Sequence, residues 1–120
     1  MCMRFSIILL SALGLVSCGS STSSPTPTAT AVAVSVSIVA GARTLTTTAY
    51  SPNPLSIARG TTVTWVNNDT STHDNIADGG AFNTGDIVPG AQASFTFQNT
   101  GAFPYHCGRH PGMIATINVQ

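Results

Sequence analysis

Hydrophobic and polar residues alternate along most of the chain, beginning at residue 31. In the segment AVAVSVSI, Val32, Val34, Val36 and Ile38 share one face, as in a β-strand with one buried side. Further strands are predicted for PLSI, TTVTWVN, AQASFTFQ, AFPYHC and MIATINV. Turn-forming groups such as SPNP, NND, VPG and HPG separate these segments, and no stretch has a convincing helical period. The pattern predicts an all-β protein with a Greek-key β-sandwich.

Strand parity makes a specific prediction for the segment AFPYHC. Tyr105 and Cys107 point to one side of this strand and His106 to the other. We therefore expect Cys107 to face the core. We expect His106 to be a surface residue that does not bind the same metal ion as the Cys107 thiolate. Past the turn GRHPG, Met113 begins the core-facing set of the next strand, and His110 lies in the loop between.

The first 31 residues have a different pattern. An arginine, an apolar run and then small residues are typical of a secretory signal, and the ending LVSC resembles a bacterial lipobox. We predict a lipoprotein signal peptide over 1–17 with lipidation of Cys18; ordinary secretion is the alternative. The Ser/Thr/Pro-rich stretch predicts a flexible linker over 18–31, followed by one domain over 32–120. We expect an exported protein, lipid-anchored to a membrane that faces the periplasm or the cell exterior.

Composition excludes one class of partner and singles out one thiol. The chain has 120 residues, of which 42% are hydrophobic, which is enough for one modest domain. It contains no lysine and no glutamate, so no basic patch exists and a nucleic-acid partner is not expected. If Cys2 leaves with the signal and Cys18 is acylated, Cys107 has no disulfide partner in its own chain. A lone thiol in an exported protein is either an inert buried cysteine or a functional group.

Four side chains make a metal site the better explanation of that thiol. Cys107, His110 and Met113 offer a thiolate, an imidazole and a thioether on one short loop, and His73 is the histidine that remains upstream. These soft to intermediate donors suit copper, and two histidines, a cysteine and a weak axial methionine form a blue copper site. Zinc is the competitor, but structural zinc sites seldom use methionine. We predict one copper ion bound by these four residues.

The segments AYSPNPLSI, GTTVTWVNND, THDN, AFNTGDIVPG and YHCGRHPGM, within residues 49–120, resemble cupredoxins of the plastocyanin and amicyanin group. The spacing C-x-x-H-x-x-M is similar to that of amicyanin. The resemblance implies that His73, Cys107 and His110 are equatorial ligands and that Met113 is axial. It also implies that the backbone N–H of the residue after His73 donates to the cysteine sulfur. Asp74 occupies that position, where many relatives have Asn, Ser or Thr.

Gly108 is a second departure, because relatives often carry a hydroxyl there that links the two ligand loops. Asp74 and Gly108 cannot form that link through their side chains. Asp74 and Arg109 flank the loops with opposite charges. Two outcomes are open: the two side chains pair across the loops, or both are solvated.

Electron transfer is the predicted function, because a copper site of this type changes its geometry little between Cu(II) and Cu(I). The protein would shuttle single electrons between membrane-associated or periplasmic redox partners. Copper delivery or buffering is the alternative, and the single methionine of the predicted domain argues against it. His106 beside Cys107 invites an enzymatic interpretation, but three histidines in all leave no second cluster. We expect that the protein is not an enzyme.

The resemblance also implies where redox partners dock. In the family, the histidine of the cysteine-containing loop reaches the surface through an apolar patch. We expect partners to dock near His110 and Pro111, with Pro89 and Gly90 at the border of the patch. No patch of one charge sign is expected there, so docking should be transient and little affected by salt. We expect a monomer.

Overall fold

A computed structural model describes residues 32–120; the predicted signal peptide, Cys18 and the linker lie outside the described residues. Within 32–120, the secondary structure consists of eight β-strands and one turn of 3₁₀-helix. The strands are β1 Ala33–Ile38, β2 Tyr50–Ser51, β3 Leu55–Ile57, β4 Thr62–Asn67, β5 Ile76–Ala77, β6 Gln92–Thr96, β7 Gly101–His106 and β8 Ile114–Val119, and the 3₁₀ turn is Ala42–Thr44. None of the helical structure in this part of the chain is long and apolar enough to cross a membrane.

The strands form two four-stranded sheets, with the order β2-β1-β4-β6 in the first and β3-β8-β7-β5 in the second. At the centre of the first sheet, β1 pairs with β4 in parallel. At the centre of the second sheet, β7 pairs with β8 in an antiparallel arrangement. This arrangement confirms the predicted all-β sandwich. The sequence pattern did not predict β2 and β5, because a strand of two residues is too short to show a period.

The inward faces of the two sheets meet in an aromatic core. Trp65 of β4 is fully buried, and its indole N–H donates to the hydroxyl oxygen of Tyr105 in β7 over 3.0 Å, which joins the two sheets. Phe82 packs against Trp65 with ring centroids 5.2 Å apart. The predicted inward face of β1 is buried at Val36 and Ile38 but not at its start, where Val32 precedes the strand and is 63% exposed.

The candidate metal site lies at one end of the sandwich, because the strands that lead to it end there. Asn67 ends β4 opposite Ile38 at the end of β1, while His106 ends β7 and Ile114 begins β8 in the neighbouring sheet. The loops that follow β4 and connect β7 to β8 therefore meet at the same end. Val32 lies at the opposite end of β1.

Candidate metal centre

His73 is placed by the loop that follows β4. The side chain of Asn67 donates to the carbonyl oxygens of Ser71 and Ile87 over 2.8 and 2.7 Å, and its own oxygen accepts the N–H of Asp69 over 2.9 Å. The backbone of His73 then pairs with Ile87 in both directions, over 3.1 and 2.6 Å. These contacts fix the loop, and the His73 side chain is completely buried.

A buried carboxylate orients the His73 ring. Nε2 of His73 lies 2.8 Å from Oδ2 of Asp69, whose side chain is 3% exposed. An ionised carboxylate only accepts hydrogen bonds, so a neutral ring carries its proton on Nε2 and presents the lone pair of Nδ1. Burial acts to raise the pKa of Asp69, but hydrogen bonds from His73 and from the backbone N–H groups of Gly41 and Thr70 lower it to about 2. A ring held in this way presents a fixed donor atom to a metal.

Cys107 and Met113 are joined by the loop that connects β7 to β8. The N–H of Cys107 donates to the carbonyl oxygen of Met113 over 3.1 Å, and the N–H of Met113 donates to that of His110 over 2.9 Å. Cys107 and Met113 are both fully buried, as strand parity predicted. His110 sits at the turn of this loop and is half-buried.

Three donor atoms face one another at the centre of this site. Sγ of Cys107 lies 3.7 Å from Nδ1 of His73 and 3.8 Å from Nδ1 of His110, and the two nitrogens are 3.2 Å apart. In the plane of the three atoms, the point equidistant from them lies about 2.1 Å from each. This distance is close to the roughly 2.0–2.3 Å of metal–nitrogen and metal–sulfur bonds in proteins. Two imidazoles and a thiol with this spacing fit a copper ion in trigonal coordination.

The surroundings of the donors affect their protonation. Burial raises the pKa of the Cys107 thiol, and backbone hydrogen bonds from Asp74, His110 and Arg109 act in the opposite direction. Burial, and then the proximity of His73 and Arg43, lower the pKa of His110, so its ring is neutral and its lone pair available at neutral pH. A metal ion would replace the thiol proton of Cys107.

The charged residues of the ligand loop pair differently from either expectation. The guanidinium of Arg109 binds Asp86, with Nε to Oδ1 at 3.0 Å and Nη2 to Oδ2 at 2.6 Å. Asp74 accepts the backbone N–H of Arg109 over 3.2 Å instead of its side chain. The predicted alternatives, an Asp74–Arg109 ion pair or two solvated side chains, are both wrong. Asp86 reaches the guanidinium because the loop that carries it also pairs with His73 through Ile87.

His106 points away from the three donors, as strand parity predicted. Its Nδ1 lies 2.7 Å from Oδ1 of Asp78, and both side chains are partly exposed. The strand pairing of β7 with β5 places Asp78 beside His106, because the N–H of Asp78 donates to the carbonyl oxygen of Pro104.

Asp69, Asn67 and Asp86 support the site and were not found by sequence reasoning. Asp69 lies four residues before His73, within the turn-rich segment NNDTSTH. An Asp or Asn that follows a strand often hydrogen bonds to nearby backbone, so this segment did signal a structured turn. The contact of Asp86 with Arg109 spans 23 residues and depends on the tertiary fold, so no local pattern could reveal it.

The fold and the cluster of donors define a copper protein of the cupredoxin type. The chain belongs to the plastocyanin/azurin family of copper-binding proteins, whose model matches residues 36–120. Among solved structures, it is similar to a purple cupredoxin from Nitrosopumilus maritimus, with 30% identity over 72% of this chain and 99% of that chain and a TM-score of 0.67. Two amicyanin variants are also similar. A Cu(I) form has 25% identity over 73% and 82% of the two chains and a TM-score of 0.63, and an oxidised form has 26% identity with the same coverage and a TM-score of 0.62.

Family and site together establish the general activity. The protein is a blue copper protein that binds one copper ion and transfers electrons to redox partners.

Proposed function

We propose that His73, Cys107 and His110 are the equatorial copper ligands and that Met113 is the axial ligand. The observation that carries this assignment is the triangle of Sγ and two Nδ1 atoms, with sides of 3.7, 3.8 and 3.2 Å. Copper bound there supplies a one-electron couple. His73 and Cys107 exclude water from the site because both are fully buried, while the half-buried ring of His110 connects it with the surface.

The absorption spectrum of the copper-loaded protein tests the ligand assignment. We expect an intense blue band from thiolate-to-copper charge transfer, which Cys107→Ser abolishes while the sandwich stays folded. His106→Ala is the matched control, because it alters the adjacent residue of the same strand but one that faces away. A Cys107→Ser variant that keeps the band, or a His106→Ala variant that loses it, would contradict the assignment.

Electron transfer with retained copper is favoured over copper delivery by the way His73 is held. Its ring is fully buried and bound to Asp69, and its backbone is paired with Ile87, so the ligand cannot swing outward without breaking several contacts. We therefore infer slow copper exchange. The competing function requires the opposite, and loss of most Cu(I) to a soluble chelator within seconds would favour it. We further propose that the chain is not an enzyme, since the third histidine of the chain, His106, is bound to Asp78 instead of forming a second cluster.

We propose that redox partners dock on the surface around His110 and Pro111. Pro111 and Gly112 are exposed beside the His110 ring, and the Asp86–Arg109 pair holds the neighbouring loop that carries Val88 and Pro89. Val88 is 53% exposed, which makes it one of the large exposed apolar side chains of the described domain. An apolar surface of this kind suits brief contacts between redox proteins.

Electron self-exchange between oxidised and reduced copies tests this surface without knowledge of the natural partner. We expect Val88→Asp to slow self-exchange at least about tenfold, because a charge is then desolvated when two copies meet. Val32→Asp is the control, since Val32 is 63% exposed and lies at the opposite end of β1. Equal rates for wild type and Val88→Asp would show that electrons leave elsewhere.

We propose that the protein is exported, anchored to a membrane by lipid on Cys18, and monomeric in its folded domain. The support for export and for the lipid anchor is the sequence pattern of residues 1–31, with an apolar run, the ending LVSC and the Ser/Thr/Pro-rich linker. Expression of the full chain in a bacterium tests the anchor. Wild type should sediment with membranes and carry the mass of attached lipid, whereas Cys18→Ser should lack the lipid. An unlipidated wild-type protein in the soluble exported fraction would support ordinary secretion.

A further inference from the structure

The side chain of Asp74 and the missing side chain of Gly108 occupy one small space beside the sulfur of Cys107. A Cβ atom added to Gly108 would lie 2.9 Å from Oδ2 and 3.4 Å from Oδ1 of Asp74, and 2.7 Å from Cδ1 of Ile76. Contacts below 3.0 Å force one of the groups to move. The carboxylate of Asp74 can therefore lie where it does because residue 108 has no side chain.

The same carboxylate contacts two groups of the ligand loop. Oδ1 of Asp74 lies 3.3 Å from Sγ of Cys107 and accepts the backbone N–H of Arg109 over 3.2 Å. The first contact is a hydrogen bond while Cys107 carries its proton. A thiolate in the same place has no proton to donate, so it would face a negative oxygen at this distance.

Charge beside a redox centre changes the relative stability of its two states. A carboxylate stabilises the more positive state, Cu(II), over Cu(I), and so lowers the reduction potential. The positive charge that would oppose it, the guanidinium of Arg109, is bound by Asp86 in a two-point ion pair and so is already neutralised.

We propose that Asp74 sets the reduction potential of the copper site and positions its ligand loop, with Gly108 as the residue that makes room for it. The proposal rests on Cys107 as a copper ligand. Asp74 acts through Cys107 and the N–H of Arg109 and is not itself assigned as a ligand.

Asp74→Asn separates charge from shape, because the amide oxygen of Asn can still accept the N–H of Arg109. We expect this variant to keep the blue band and to raise the reduction potential. At a fixed applied potential, the ratio of Cu(I) to Cu(II) should increase about tenfold, which is about 59 mV for a one-electron couple. An unchanged or lower potential in Asp74→Asn would overturn the proposal.

Gly108→Ala tests the role of the vacant space, and Gly112→Ala is its control. Gly112 lies in the same loop, and a Cβ atom there would meet nothing within 4 Å. We expect Gly108→Ala to displace the Asp74 carboxylate and to raise the potential in the wild-type background, but to add little in the Asp74→Asn background. Strictly additive shifts, or an equal shift in Gly112→Ala, would contradict the pairing of Asp74 with Gly108.

A measurement on metal-free protein keeps this proposal distinct from the ligand assignment. The amide hydrogen of Arg109 should exchange with solvent faster in Asp74→Ala than in wild type or Asp74→Asn, because only the alanine variant lacks an acceptor for it. Equal exchange in all three proteins would disprove the loop-positioning role. Absence of the blue band from copper-loaded wild type would instead contradict the assignment of Cys107.

Discussion

The two histidines of the candidate copper site are held in opposite ways. His73 lies in the interior, with its ring bound to Asp69 and its backbone paired with Ile87. His110 lies in an exposed turn beside Pro111 and Gly112, and its ring is only half-buried. One half of the site is thus built into the sandwich, and the other half is open to solvent.

The difference between the two halves matches two requirements of electron transfer. A copper ion keeps its coordination geometry in both oxidation states only if some of its ligands are held in fixed positions. The buried half of the site holds its ligand in this way. A partner must also come close to the metal, and the half-buried ring of His110 in an exposed turn allows this. Charged groups follow the same division, since Asp69 is buried while the Arg109–Asp86 pair is about half exposed.

The largest expected effect that tests this comparison is the loss of stability of the metal-free protein when either histidine ring is removed. His73→Ala leaves a cavity and an unpaired buried carboxylate, so the free energy of unfolding should fall by about 2–4 kcal/mol. His110→Ala removes a half-exposed ring and should change it by less than about 1 kcal/mol. Urea unfolding of both variants measures the difference. Similar losses would show that the two halves do not differ in rigidity.

A second test uses acid, because the pKa of Asp69 is lowered from 3.8 to about 2 in the folded protein. A lowered pKa means that the carboxylate stabilises the fold above about pH 4 and that this contribution is lost as the pH falls toward 2. Metal-free wild type should exceed Asp69→Asn in stability by about 1–2 kcal/mol near pH 5, and the gap should close by pH 2. Asp86→Asn, which alters an exposed carboxylate, is the control and should show a much smaller gap. A gap for Asp69→Asn that is independent of pH would refute the role of its charge.

The sequence predicted the donor residues of the site but, in both halves, not the contacts that hold them. Two-residue periodicity placed Trp65, Tyr105 and Cys107 on inward faces, and metal chemistry grouped the histidines with Cys107, because these depend on strand parity and donor type. Neither alternative for Arg109, a pair with Asp74 or a solvated side chain, was right, since a long flexible side chain can reach any of several carboxylates and only the fold determines which one is near. The choice of Asp86 over Asp74 was decided by how the loop bearing Ile87 lies against His73.

A third, smaller effect concerns the ion pair of the exposed half. Arg109 and Asp86 are 49% and 54% exposed, so water and salt screen their attraction. A double-mutant cycle with Arg109→Ala and Asp86→Ala should give a coupling of about 0–1 kcal/mol in metal-free protein. The equivalent cycle with Asp74→Ala should show no coupling to the Arg109 side chain beyond error. A coupling above about 2 kcal/mol for Arg109 with Asp86 would mean that the exposed half of the site is as rigid as the buried half.

The smallest expected effect is that of salt on electron self-exchange through the exposed half. Charges near His110 are mixed in sign: Arg43 and Arg109 act on its ring as positive charges, while Asp86 neutralises Arg109 and Asp74 faces the loop. Two copies that meet at this surface therefore experience little net repulsion, and salt, which screens charges beyond roughly 8–10 Å, has little to remove. The self-exchange rate of wild type should change less than about twofold between low and physiological salt. Asp86→Asn leaves an excess of positive charge at the surface, so its rate should start lower and rise with added salt. A wild-type rate that rises or falls steeply with salt would mean that charge governs docking and that the apolar surface around Pro111 does not.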